Sequence, residues 1–202
     1  MMNRILKSIS FIFHPLLMPF FGVVFYFYKS PKYLPEDIVY AKLFAVLILT
    51  VILPILLYFI LMLRGKVKSI HLETTKERIL PLFFNCINLI LVLKYILSPT
   101  QVIELYFFFV GILLSTLTCL ILAVLKFKAS IHMIAVSGVF MFFIALSIHF
   151  NININESLAL MVVLIGALAT SRLLLDAHSS IELIIGFFIG FIPQLLLVNY
   201  WL

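Results

Sequence analysis

Residues 43–63 and 105–125 contain no Asp, Glu, Lys or Arg. Bilayer hydrocarbon is about 30 Å thick and takes roughly 20 helical residues to cross. Inside lipid a backbone must satisfy its own N–H and C=O groups, so uncharged runs of this length read as membrane-spanning helices. The remainder of the chain repeats the pattern. Of its 202 residues, 65% are hydrophobic and only 11% are charged, whereas a soluble domain carries about a quarter charged residues. Mean hydropathy is +1.28. The apolar runs predict about seven spans, with six as the alternative count, near residues 9–28, 40–63, 79–97, 102–125, 131–149, 157–174 and 180–200. The opening stretch MMNRILKSISFIF has the basic flank of a signal peptide, but no small-residue cleavage site follows it, so it reads as a retained first span.

The connections are short and no Gly/Ser linker separates them. Residues 1–202 are therefore expected to form a single all-α, polytopic transmembrane helical bundle. Gly186 and Gly190 make a GxxxG pair, and with Gly166, Ala167 and Ala169 they predict close approach of the last two helices. Cys86 and Cys119 lie inside apolar runs, show no metal-ligand spacing and read as small core hydrophobes.

The formal net charge is +6. The basic residues fall mainly between apolar runs, where they meet lipid headgroups or a phosphorylated ligand, and no nucleic-acid partner is expected. Counting alternate connections, one face holds Arg4, Lys7, Arg64, Lys66, Lys68, Lys76, Arg78, Lys126, Lys128 and Arg172. The other holds Lys29, Lys32, Lys42 and Lys94. The positive-inside rule makes the first face cytoplasmic, in what is expected to be a bacterial inner (plasma) membrane.

Three segments on that first face carry the reactive side chains: Thr74 to Pro81, Lys126 to His132, and Ser171 to Glu182. Two spans separate each from the next, and an even number of crossings returns the chain to the same face. Arg78 and Arg172 offer forked donors for phosphate oxygens, and Lys76 and Lys128 offer point charges. His132 and His178 offer a proton donor and a nucleophile. Glu182 follows His178 by four residues, so on a helix it shares a face with it and can hold the imidazole in one tautomer. These parts suit phosphoryl transfer through a phosphohistidine, by positioning and charge stabilisation.

Ser171-Arg172, five residues, His178, three residues and Glu182 resemble the third signature of the type 2 phosphatidic acid phosphatase superfamily, Ser-Arg, five residues, His, three residues, Asp. Glu stands here for Asp. Ala129-Ser130-Ile131-His132 matches the second signature, Pro-Ser-Gly-His, in part. The first signature, Lys, six residues, Arg-Pro, is met only by Arg78, with Pro81 displaced and His71 where the lysine would stand. The chain thus resembles a divergent member over roughly residues 68–190. The resemblance implies that His178 is the nucleophile, Glu182 orients it and His132 protonates the leaving oxygen. It implies that Arg172, Arg78 and Ser130 hold the phosphate, with Lys76 or Lys128 in place of the missing lysine. It implies a lipid phosphate substrate and no metal or other cofactor.

Simpler readings stand beside these. Glu182 can complete a capping box with Ser179, and Glu77 one with Thr74. Lys76 and Arg78 are two residues apart and point to different sides of a helix, so Lys76 is divided between phosphate and headgroup. Lys126 reads as a snorkelling anchor, Ser130 can be a helix cap, and Asp176 is a loop or cap residue near Arg172. His14, His71 and His149 read as interfacial histidines. Two other function classes are open. A metal-dependent prenyl transferase would need an acidic or Cys/His ligand cluster. A transporter-like bundle would put paired polar residues at mid-membrane, whereas the ionisable residues here sit at span ends. A non-catalytic lipid-phosphate binder is the further alternative.

Overall fold

The computed structural model describes residues 8–67 and 74–202, and among them the chain is helical, without strands. Arg4, Lys7, Lys68 and His71 lie outside the described residues. The helices are α1 (Met18–Lys29), α2 (Glu36–Leu63), α3 (Thr75–Ile96), α4 (Ile103–Val124), α5 (Ile131–His149), α6 (Asn155–Leu174) and α7 (Ser180–Tyr200). Six of them, α2 to α7, are long and apolar enough to cross a membrane. Large apolar side chains cover the outside of the bundle, among them Phe44, Ile60, Leu160, Val163, Ile184 and Leu196. Such a surface belongs in lipid. The chain is an all-α integral membrane bundle.

The expected first span, 9–28, is not one helix. Residues 8–12 are helical, residues 13–17 turn, and α1 then runs for 12 residues, about 18 Å and too short to cross alone. Proline is the cause. Pro15 steers His14 out of helical geometry, and Pro19 sits at the start of α1, where its missing N–H costs nothing. The segment still joins the two ends of the bundle. Ser10 touches His132 at one end, and Lys32, just beyond α1, touches Glu104 and lies over the Phe150 ring at the other. At that second end Glu104 is fully buried and accepts from Tyr26 at 2.9 Å, Lys32 at 2.5 Å and His149 at 3.0 Å. His149, expected to be merely interfacial, is one arm of this pin. Nearby, Lys42 turns inward onto the Ile96 carbonyl at 2.7 Å, where α3 ends and the carbonyl has lost its helical partner.

The central helix is α5. In its most apolar stretch 61% of residues are buried, against 22–39% in the other five spans. The GxxxG pair of α7 packs on α5, not on α6 as expected. A Cβ at Gly186 would stand 2.8 Å from the Ser130 carbonyl, and one at Gly190 would collide with the Ile134 carbonyl. Gly166, by contrast, has open space beside it. Two hydroxyls stitch α7 to its neighbours at this level. Ser137 of α5 donates to the Phe187 carbonyl at 2.8 Å, and Ser115 of α4 donates to the Ile189 carbonyl at 2.9 Å. The second has a clear origin. Pro193 has no N–H to give Ile189 four residues back, and Ser115 supplies the missing donor.

The seam predicts a contrast between two glycines. Gly190→Ala should lower stability by about 1–3 kcal/mol, the usual cost of overpacking a tight contact. Gly166→Ala, with nothing to strike and better helix propensity, should be neutral or stabilising. Unfolding in mixed detergent micelles checks both; equal losses would refute the seam.

Candidate functional site

Two of the three reactive segments are launched by the same backbone device. At the end of α4, Lys126 adopts φ +64°, with Lys126 N bonded to Ala123 O and Phe127 N to Leu122 O. At the end of α6, Asp176 adopts φ +50°, with Asp176 N bonded to Leu173 O and Ala177 N to Arg172 O. Both are left-handed helix stops that satisfy the last carbonyls. Each turns the chain sharply, one toward Lys128 and Ser130, the other toward His178. Lys126 and Asp176 themselves are exposed. Asp176 is therefore a cap residue as expected, and Arg172 takes Ser10 as its polar contact instead.

Hydrogen bonds to backbone carbonyls then join the three segments. Arg78, buried on the first turn of α3, donates through Nη1 to the Ala129 carbonyl at 2.8 Å. Lys128 donates through Nζ to the Ala177 carbonyl at 3.1 Å. The backbone N–H of Ser130 donates to the Glu182 carbonyl at 3.1 Å. Arg78, Lys128, Ser130, His132, Arg172, His178 and Glu182 thereby gather at one end of the bundle. Lys76 does not join them. It is exposed on the first turn of α3, where Thr74 caps the helix by accepting from Glu77 N.

The geometry around His178 is specific. Its Nδ1 lies 2.7 Å from Glu182 Oε2, and the ring is buried. The same carboxylate oxygen accepts from Ser179 N at 3.2 Å, while Ser179 Oγ accepts from Glu182 N at 3.4 Å. The capping box and the carboxylate–imidazole pair are thus one structure, and the cap fixes the carboxylate that fixes the ring. With Nδ1–H given to the carboxylate, the neutral imidazole presents Nε2 as a lone pair. Burial pushes His178 below the ordinary histidine range, the Glu182 hydrogen bond opposes it, and Arg78 and Lys128 push it down further.

Among the described residues, two buried polar atoms at this end have no partner: Ser130 Oγ, on a residue with no exposed surface, and Arg172 Nε. Ser130 occupies the N-cap position of α5, yet its hydroxyl caps nothing. A buried unsatisfied donor costs about 1–3 kcal/mol, so it calls for an explanation. Both atoms suit an anion. The residues joined by these bonds include the basic side chains Arg78, Lys128 and Arg172 and the acidic Glu182.

Two residues outside the three segments also reach the site. The Ser10 carbonyl accepts from His132 Nε2 at 3.2 Å, and Ser10 Oγ lies 2.9 Å from Ser171 Oγ and 3.4 Å from Arg172 Nη1. His14 meets His132 edge to face, ring centroids 5.8 Å apart. Neither belongs to a motif. Their one signal in the sequence is polarity inside an otherwise apolar run.

No protein-family model, curated protein or solved structure matches this chain.

The His178 environment sets a pH expectation. Its midpoint should lie below the ordinary histidine value of about 6.5, so the ring is neutral at pH 7. An unfolded chain would then bind more protons than the folded one below that pH, and His178 should cost stability as pH falls. Removing the opposing carboxylate, in Glu182→Gln, should move the midpoint lower still. Imidazole nitrogen NMR of the micellar protein checks both; a His178 midpoint above 6.5 would show that Glu182 outweighs burial.

Proposed function

We propose that this chain is a membrane lipid phosphate phosphatase, hydrolysing a phosphomonoester or pyrophosphate of a lipid through a phosphohistidine. The observation that carries the reading is the buried His178–Glu182 pair at 2.7 Å, set beside Arg78, Lys128 and Arg172 and the unpartnered Ser130 hydroxyl. It agrees with the resemblance to the type 2 phosphatidic acid phosphatase superfamily. Of the two lysines open from the sequence, the geometry favours Lys128, because Lys76 is exposed and apart from the site.

In the proposed reaction the Nε2 lone pair of His178 attacks phosphorus. The bond from phosphorus to the lipid oxygen breaks, and that oxygen takes a proton from protonated His132. Glu182 holds Nδ1–H while positive charge builds on the ring. Arg78, Arg172 and Lys128 offset the charge on the non-bridging oxygens, and Ser130 at the N-terminus of the central helix adds a neutral donor. Water then attacks the phosphohistidine, His132 takes its proton, and inorganic phosphate leaves. No step requires a metal ion. The substrate is lipid because the site sits at the end of a bundle whose outer surface is apolar.

The two histidines should fail differently. His178→Ala removes the covalent route, and turnover should fall to background. His132→Ala should cost about 10²–10⁴-fold on a lipid phosphate, the usual worth of positioned proton transfer. It should cost much less on an aryl phosphate, whose leaving group needs little protonation. Phosphate release by the purified protein, with and without chelator, tests this; full activity in His178→Ala would sink the mechanism. A protein that binds phosphatidic acid vesicles but never turns over would be a lipid-phosphate binder instead.

The face of the membrane is proposed from charge. The site end also carries Arg64 and Lys66, so the positive-inside rule makes it cytoplasmic. An impermeant maleimide should label Lys32→Cys and spare Lys66→Cys in intact cells; the reverse pattern would overturn the orientation.

A further inference from the structure

The N-terminal segment holds the site in a state that a lipid phosphate could not use. His132 Nε2 faces the Ser10 carbonyl at 3.2 Å. A carbonyl only accepts, so Nε2 carries the hydrogen and commits it to Ser10. Arg172 Nη1 donates to Ser10 Oγ at 3.4 Å, a long contact, while its Nε has no partner among the described residues. Ser10 thus stands where substrate oxygens would, its hydroxyl on the phosphate-binding arginine and its carbonyl on the general acid. Ser10 is itself buried.

The segment joins α1 through a non-helical turn, and Ile9 and Phe13 pack it on the core. The α1 helix is pinned at its far end by Tyr26 and Lys32 on Glu104. Residues 8–12 continue from it only through the turn at 13–17, where Leu17 N bonds to His14 O and Leu16 N to His14 Nδ1. Helical hydrogen bonding does not run through Pro15, so residues 8–12 can lift without unwinding α1. The known polar ties of Ser10 to the site are those to Ser171, Arg172 and His132.

We propose that residues 8–12 form a displaceable gate over the phosphate site, and that substrate enters by driving Ser10 off Arg172 and His132. The proposal rests on the phosphatase reading above. It differs from a structural role for Ser10, in which the segment stays closed throughout turnover.

Ser10 and Ser171 face one another with their hydroxyl oxygens 2.9 Å apart, so a cysteine at each position would tie the segment to α6. The test uses Ser10→Cys with Ser171→Cys in a full chain carrying Cys86→Ala and Cys119→Ala. Oxidation should abolish phosphate release from phosphatidic acid and from an aryl phosphate, and reductant should restore it. Equal rates for the locked and reduced forms would overturn the gate and leave the phosphatase reading standing. Should the reduced pair be inactive, Ser10→Cys alone decides. Its labelling by a maleimide should rise about tenfold or more with orthovanadate, as a closed majority state gives way to an open one. An unchanged or slower rate, at vanadate concentrations that inhibit the wild-type chain, would refute the gate. A wild-type chain that releases no phosphate from either substrate would sink the phosphatase reading, and the gate with it.

Discussion

The close approach of α5 and α7 is the contact on which the site depends. Gly186 and Gly190 remove the side chains that would hold the two helices apart, and backbone meets backbone at Ser130 and Ile134. Lipid gives no hydrophobic drive for two apolar helices to associate, so packing and interhelical hydrogen bonds must supply it. The glycines allow the first, and Ser137 on Phe187 O adds the second. The consequence is chemical. Gly186 is one turn beyond Glu182, so seating it on Ser130 brings the start of α7 against the start of α5. The hydrogen bond from Ser130 N to Glu182 O records that register. His178, Glu182, Ser130 and His132 are neighbours because of it.

Gathering Arg78, Lys128 and Arg172 near one another at a helix end costs mutual repulsion and lost hydration. The chain offsets part of this with backbone carbonyls. Ala129 O takes Arg78, and Ala177 O takes Lys128. Those bonds also tie the three segments together, so the same cations that suit an anion hold the site's walls in place. The offset is incomplete at Arg172 Nε and Ser130 Oγ. Donors held this way are fixed in place and, among the described residues, partly unsatisfied.

Much of this was legible in the sequence. Uncharged runs marked the six long helices, and counting crossings placed the three segments on one face. The four-residue spacing of His178 and Glu182 pointed to their contact, but not through a shared helix face: His178 lies before the cap Ser179, and the capping box brings the carboxylate to it. What was hidden depended on partners rather than on local pattern. The broken first span was written in Pro15 and Pro19, but hydropathy ignores proline. The GxxxG pair was visible, yet the helix it faces is set by the whole bundle, and α5 lies behind it rather than α6. The helix stop at Lys126 uses a left-handed backbone without glycine, so its residue type did not announce it, whereas Asp176 reads as a loop or cap residue from the sequence. Ser130 looked like a cap and is not one, because its hydroxyl is left aside. Ser10 and Glu104 were silent, since their meaning lies in groups 45 or more residues away.

The two ends of the bundle solve the problem of buried charge in opposite ways. At the far end Glu104 is fully buried, and Lys32, Tyr26 and His149 surround it with donors. The carboxylate of Glu104 is matched by donors on every side, so the cluster can fix α1 against α4 and α5. At the near end, among the described residues, basic groups outnumber acidic ones and two buried polar atoms are unpaired. A buried ion pair is costly to break, because the survivor is stranded without water. A buried excess of one charge invites a partner instead. The first kind of end suits a hinge pin and the second an anion site, and the short, broken α1 runs between them. It is anchored where the charges cancel, and it reaches by way of Ser10 to the place where they do not.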